Sequence, residues 1–225
     1  MPTRRQAPNS VAVRPPVPLM QPRPVPVLPA EDGMPGGVVY EIKVDGVRCC
    51  AARTEAGVEL WSRRARPLHE RFPEVLPALA ELLAPGVVLD GELCPYRGGR
   101  LAFPELLRSP RARAADGVAV SYVVWDVLAV PGRDVRGLPL VERRDLLAEV
   151  LVGARPPVEQ VMSTRSRVTA LGWYLVTSAR QLWRLCVMPP RVGTIRAGGT
   201  EPAKWCTPGD TEPANRCTPT DLPLC

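Results

Sequence analysis

The residues best able to do chemistry lie in one short run, Glu41-Ile42-Lys43-Val44-Asp45-Gly46-Val47-Arg48. Lysine stands only at Lys43 and Lys204, and nearly all the remaining positive charge is arginine. The exception is chemical, because a guanidinium stays protonated whereas an ammonium can lose its proton and attack as an amine. A nucleophilic amine needs a depressed pKa or a nearby base, and a cationic neighbour depresses it. Arg48 offers the cation. Asp45 offers a carboxylate to orient the amine or take its proton. The same run also reads as a hairpin with a surface Lys–Asp pair, which would contribute little.

Three later segments supply groups suited to phosphate, ribose and base. Ser62-Arg63-Arg64-Ala65-Arg66 follows a strand and offers three arginines. Leu89-Asp90-Gly91-Glu92-Leu93 ends a buried run in two carboxylates, which suits a ribose hydroxyl or a magnesium ion. Trp125 lies in an apolar strand beside Asp126, where an indole can stack on a purine. Taken singly, these are also a solvated basic loop, an Asp-Gly turn and a core tryptophan.

The elements that must position these residues follow from periodicity. Val38 to Lys43 reads as a strand, with Glu41 and Lys43 on one face and Tyr40 and Ile42 on the other. Asp45-Gly46 signals a turn, and Arg48 to Arg53 reads as the returning strand of a hairpin. Val58 to Ser62 forms another strand. Phe72, Leu76, Leu79 and Leu83 fall at helical spacing, with Pro77 awkward inside the helix. Val87-Val88-Leu89 is a buried strand ending at Asp90-Gly91. Phe103 to Arg108 reads as a short helix, and Val118 to Val130 contains an apolar strand. Pro139 to Val152 forms a helix stopped by Gly153, and a weaker helix runs from about Ser166 to Trp173.

With 225 residues and 45% hydrophobic content, the chain is long enough for one sizeable domain with ragged ends. Its 28 prolines cluster before residue 36 and after residue 188. Residues 1–36 therefore read as a Pro-rich extended arm, 37–175 as the globular part, and 176–225 as a largely unstructured tail. In the tail, Thr200 to Pro208 nearly recurs from Thr211 to Pro219, too short a period for a solenoid. The formal charge of +6 suits a phosphate-rich partner. Seven cysteines without a signal peptide point to a reducing, cytoplasmic setting, and no apolar run is long enough to cross a membrane. Cys206 and Cys217 lack metal-ligand spacing, and metal ligands stay unassigned.

In this order, the segments resemble the adenylation domain of ATP-dependent DNA ligases, closest to small bacterial and end-joining ligases. Lys43 to Arg48 match the family's Lys-x-Asp-Gly-x-Arg form completely, and Glu41 before them also matches. Ser62-Arg63, Asp90-Gly91-Glu92-Leu93 and Trp125-Asp126-Val127-Leu128 fit three further segments. Arg71-Phe72-Pro73-Glu74 and Gly137 to Arg144 also look like the family. The resemblance covers roughly residues 16 to 174. It implies an α+β fold with antiparallel strands flanked by helices, the ATP-grasp-like nucleotidyltransferase core of ligases, here incomplete. It further implies that Lys43 attacks the α-phosphate of ATP, with Asp45 assisting, and that AMP then passes to a nick in double-stranded DNA. Arg48 and Glu92 would hold the ribose, Glu41 and Trp125 would frame the adenine, and Arg63 would contact nucleotide or phosphate. Mg2+ would accompany ATP.

The family continues with a Glu-Gly-x-Val-x-Lys segment, a lysine-rich strand and an OB-fold domain, which this sequence does not show after Tyr174. Those segments carry metal and α-phosphate contacts. The expectation is therefore a truncated or frame-shifted ligase chain with impaired activity. A non-catalytic nucleotide- or DNA-binding remnant is the alternative, and an RNA ligase or capping-type nucleotidyltransferase is the second.

Overall fold

The computed structural model describes residues 12–23, 27–34, 36–178, 184–188 and 204–205. The strands and helices, in chain order, are β1 (Pro22–Arg23), β2 (Val39–Lys43), β3 (Val47–Thr54), β4 (Gly57–Ser62), α1 (Leu76–Leu82), β5 (Val88–Arg97), β6 (Arg100–Leu101), α2 (Pro110–Ala115), β7 (Ala119–Val130), β8 (Arg133–Asp134), α3 (Leu140–Val150), β9 (Val158–Gln160), β10 (Ser163–Thr164), α4 (Arg167–Ser178), β11 (Arg184–Met188) and β12 (Lys204–Trp205). They form an α+β fold of antiparallel sheets flanked by helices, with two exceptions to antiparallel pairing, β9 on β7 and β1 on β12.

Two compact units divide the chain. One holds residues 45–138 and 142–160 together with the arm as far as Leu19. Its sheet runs β4-β3-β5-β7-β8, with β6 on the edge of β5 and β9 beside β7. Side chains alternate across β3, so Cys49 and Ala51 enter one core while Cys50 and Ala52 enter another. The larger core joins Leu89, Leu93, Tyr122 and Val124 to Leu79 of α1 and Leu147 of α3. On the opposite sheet face, Val88, Leu128 and Ala129 pack with Cys50 and Ala52 under Val13 and Leu19 of the arm. Val13 is 3% exposed, so this part of the Pro-rich arm is packed chain.

The second unit contains residues 20–44 and 139–141 and continues from Val161. Its sheet runs β1-β12-β11-β2-β10. Tyr40 of β2 is buried with Leu28, Val38 and Ala170 of α4. Its hydroxyl donates to the Pro29 carbonyl at 2.8 Å, and burial raises its pKa. The sequence reading places residues 176–225 in an unstructured tail. Within it, β11 pairs antiparallel with β2, and the repeat segments, β12 aside, lie outside the described residues.

Three local expectations change. First, β2 and β3 are not a hairpin: β2 pairs with β10 and β11, whereas β3 pairs with β4 and β5. The Asp45-Gly46 signal marks a close approach, because a Cβ on Gly46 would lie 2.1 Å from the Leu93 carbonyl oxygen. Second, β5 does not stop at Asp90-Gly91 but continues to Arg97. Gly91 is needed within the strand, since its Cβ would meet the Val123 carbonyl oxygen at 2.5 Å. Third, Pro77 does not interrupt a helix. A 3-10 turn over Pro73–Val75 precedes α1, and Pro77 falls in the first turn of α1, where its missing N–H costs nothing. Phe103–Leu107 is also a 3-10 helix. α2 was not anticipated; Ser109 caps it by accepting from the Ala112 N–H at 3.2 Å. Among the described residues, no helix is long and apolar enough to cross a membrane.

Candidate functional site

Strand register assembles the site in the first unit. Arg48 of β3 pairs across the ladder with Glu92 of β5, and Cys50 pairs with Asp90. Arg48, Cys50, Glu92 and Asp90 therefore share one sheet face. From there Arg48 reaches diagonally to Asp90, donating from Nε to Oδ1 at 3.1 Å and from Nη2 to Oδ2 at 2.7 Å. This two-pronged contact fixes the guanidinium plane as well as its position. The side chains are 13% and 6% exposed, so the pair is largely withdrawn from water.

The indole of Trp125 lies beneath this cation. The Arg48 guanidinium carbon sits 5.5 Å from the ring centroid, within cation–π range. Trp125 is buried, and so is Asp126 after it. Glu92 turns to the loop before β3 and accepts the Gly46 N–H at 3.0 Å. The Asp-Gly segment entering β3 is thus held to the Asp-Gly-Glu segment of β5 by the bond from the Gly46 N–H to the Glu92 carboxylate and by the absence of a side chain at Gly46.

Of the expected site residues, the structure brings Arg48, Glu92 and Trp125 together. Asp45 belongs to the same unit and is exposed. Arg63 is exposed in a tight loop after β4, in which the Ser62 hydroxyl accepts the Arg66 N–H at 3.0 Å and Ala65 adopts φ 56°. Glu41 and Lys43 belong to β2 of the second unit, two residues apart on one face. Glu41 is buried opposite Ser163 and Cys186, and half-buried Lys43 pairs with Arg184.

Arg48, which the sequence offers as a cation, is itself forked onto Asp90. The partnership needs the β3–β5 register, which the local sequence does not show. A second pair was also missed. Asp126 and Arg143 are 3% and 1% exposed and meet through Nε–Oδ1 and Nη2–Oδ2 contacts of 2.8 and 2.9 Å. A signal existed, since Arg143 falls in the apolar stripe of Leu140, Leu147 and Leu151, where an arginine must have a partner.

The family model described as ATP dependent DNA ligase domain matches residues 30–182. DNA ligase C2 of Mycolicibacterium smegmatis is 34% identical over 164 residues, covering 67% of this chain and 46% of that protein. DNA ligase C of Mycobacterium tuberculosis is 30% identical over 169 residues, covering 71% of this chain and 47% of that protein. The chain thus spans about half the length of these relatives. Among solved structures, the ligase domain of M. tuberculosis LigD superimposes with a TM-score of 0.61 at 22% identity, covering 84% of this chain and 57% of that one. A mycobacterial DNA ligase D complexed with ATP and MES gives 0.59 at 20%, covering 77% and 55%. The match spans the strands that carry every residue assembled above, and the chain belongs to the ATP-dependent DNA ligase domain family.

Proposed function

We propose that this chain performs adenylyl transfer for DNA joining, with Lys43 as the nucleophile. The neutral Nζ attacks the α-phosphate of ATP, a P–N bond forms as the bond to pyrophosphate breaks, and lysyl-AMP results. AMP then passes to the 5′-phosphate at a nick in double-stranded DNA, and the 3′-hydroxyl displaces it. The observation supporting this most is the joining of Gly46 and Arg48, the later part of the motif that Lys43 opens in sequence, to the Asp90–Glu92 segment. That arrangement gives a nucleotide a rigid polar floor beside an indole. Relatives that are DNA ligases by name, and a ligase structure holding ATP, support the substrate pair.

Glu92 and Arg48 are assigned to the ribose, Trp125 and Glu41 to the adenine, Arg63 to phosphate, and Asp45 to orienting the amine. Asp90, in this reading, fixes the Arg48 fork. DNA repair and recombination in the cytoplasm are the proposed setting. Magnesium is assigned to ATP as part of the substrate. Among the described residues, no cluster of three acidic or other ligating side chains forms a cage. Asp90 and Asp126 are already engaged by arginines, so no step is assigned to a resident metal.

Incubation with α-labelled ATP and magnesium tests the first step. The native protein is expected to retain label that survives alkali and is released by acid, as a phosphoramidate is; Lys43→Ala and Lys43→Arg are expected to retain none. Labelling of Lys43→Ala to the native extent would refute the assignment. Reversible ATP binding without covalent label would favour a nucleotide-binding remnant.

A further inference from the structure

The buried Asp126–Arg143 pair is not used by the proposed chemistry, and stability alone accounts for it poorly. A well-packed apolar pair of similar volume is commonly as stabilising as a buried ion pair, because desolvation offsets the attraction. The location of the pair is more informative. Asp90 pairs with Asp126, but the next residue, Gly91, pairs with Val124. Trp125 is therefore the extra residue of a β-bulge in β7, immediately before Asp126. A bulge re-aims a side chain, and it needs something to hold its geometry.

Asp126 provides that hold. Its Oδ1 accepts both Arg143 Nε at 2.8 Å and the Val127 N–H at 2.9 Å, while Oδ2 accepts Arg143 Nη2 at 2.9 Å. Arg143 Nη1 donates to the Leu138 carbonyl at 2.6 Å, at the entry to α3. One carboxylate thus ties the backbone of the bulge to a helix of the same unit. Side-chain atoms of both residues are almost wholly buried, so neither can turn toward a ligand without breaking the set. The aimed residue is Trp125, whose indole lies under the guanidinium of Arg48.

We propose that Asp126 and Arg143 are positioning residues, which lock the β7 bulge so that Trp125 is presented to Arg48 and to the nucleotide base. The base contact rests on the function proposed above; the placement of Trp125 does not, and the test separates them.

The full chain is labelled with 5-fluorotryptophan, and the Trp125 19F resonance is assigned by Trp125→Phe. Arg143→Lys keeps a charge but loses the fork. Asp126→Asn/Arg143→Gln keeps hydrogen bonds without net charge, in case the first variant does not fold. In a folded variant, the Trp125 resonance is expected to shift or split while those of Trp61 and Trp173 stay in place. Half-saturating ATP, followed on the same resonance, is expected to rise on the order of tenfold. An unmoved Trp125 resonance would overturn the proposal. So would equal displacement of all the tryptophan resonances, or loss of cooperative unfolding in both variants, since either assigns the pair to global stability. If ATP perturbs nothing in the native protein while Arg143→Lys moves Trp125, the positioning stands and the nucleotide reading fails.

Discussion

Replacing Arg48 by methionine keeps most of the side-chain volume and removes the fork that holds Asp90. Asp90 is 6% exposed at its side chain, so the replacement leaves a nearly buried carboxylate without its two charge-assisted bonds. Breaking one side of a fully buried ion pair costs about 3–5 kcal/mol. Arg48 is 13% exposed, and water reaching that edge lowers the expected cost to roughly 3 kcal/mol. The double variant Arg48→Met/Asp90→Leu removes both charges, and is expected to recover about 2 kcal/mol of that loss. Urea unfolding of the native protein, both single variants and the double variant completes the cycle. Single variants costing less than about 1 kcal/mol, or a double variant whose loss is the sum of the singles, would show that the pair is not coupled as the geometry requires. The same double variant separates stability from ligand contact. If Arg48 also holds the ribose, ATP affinity stays low in the double variant even where stability has returned.

Gly46→Ala places a Cβ against the Leu93 carbonyl oxygen, so the loop is expected to shift and the Glu92 hydrogen bond to fail; thermal unfolding is expected to show a loss of about 2 kcal/mol, and a variant within 0.5 kcal/mol of native would contradict the close approach. Leu19→Ala in the arm uncovers Cys50, Val88 and Leu128 and is expected to cost about 2 kcal/mol, with Cys50 becoming reactive to a thiol reagent. Burial raises the pKa values of the Cys49, Cys50 and Tyr122 side chains. Because these groups keep their protons longer when folded, the stability they contribute is full below the unfolded cysteine value of 9.0 and is lost as pH rises above it. Urea midpoints measured from pH 7 to pH 11 are expected to fall above pH 9, and a flat profile would refute the burial of these groups.

Elements whose pattern is local were legible in the sequence. The apolar strand around Tyr122, the α3 stripe with Gly153 beyond it, and the strand before Lys43 all appear near their expected places. So did the family, because its short segments occur in order. What failed depended on distant pairing. Asp45-Gly46 has the composition of a hairpin turn, and only the Leu93 carbonyl opposite Gly46 shows that the glycine serves a close approach. Asp90-Gly91 looked like a strand end for the same reason, whereas Tyr122 and Val123 lie against Gly91 within a continuing strand. The site was half legible. Arg48, Glu92 and Trp125 were identified individually, but the bond from Arg48 to Asp90 requires the β3–β5 register, and the aim of Trp125 requires a bulge that no local pattern encodes.

If Lys43 carries the nucleotide, the AMP can be located on its side chain. The protein is incubated with ATP and magnesium, digested under alkaline conditions that preserve a phosphoramidate, and its peptides are fragmented in a mass spectrometer. AMP is expected on the side chain of Lys43 and on no other residue, in the peptide that also contains Asp45 and Gly46. AMP on a different residue, or unmodified Lys43 in protein that demonstrably binds ATP, would contradict it.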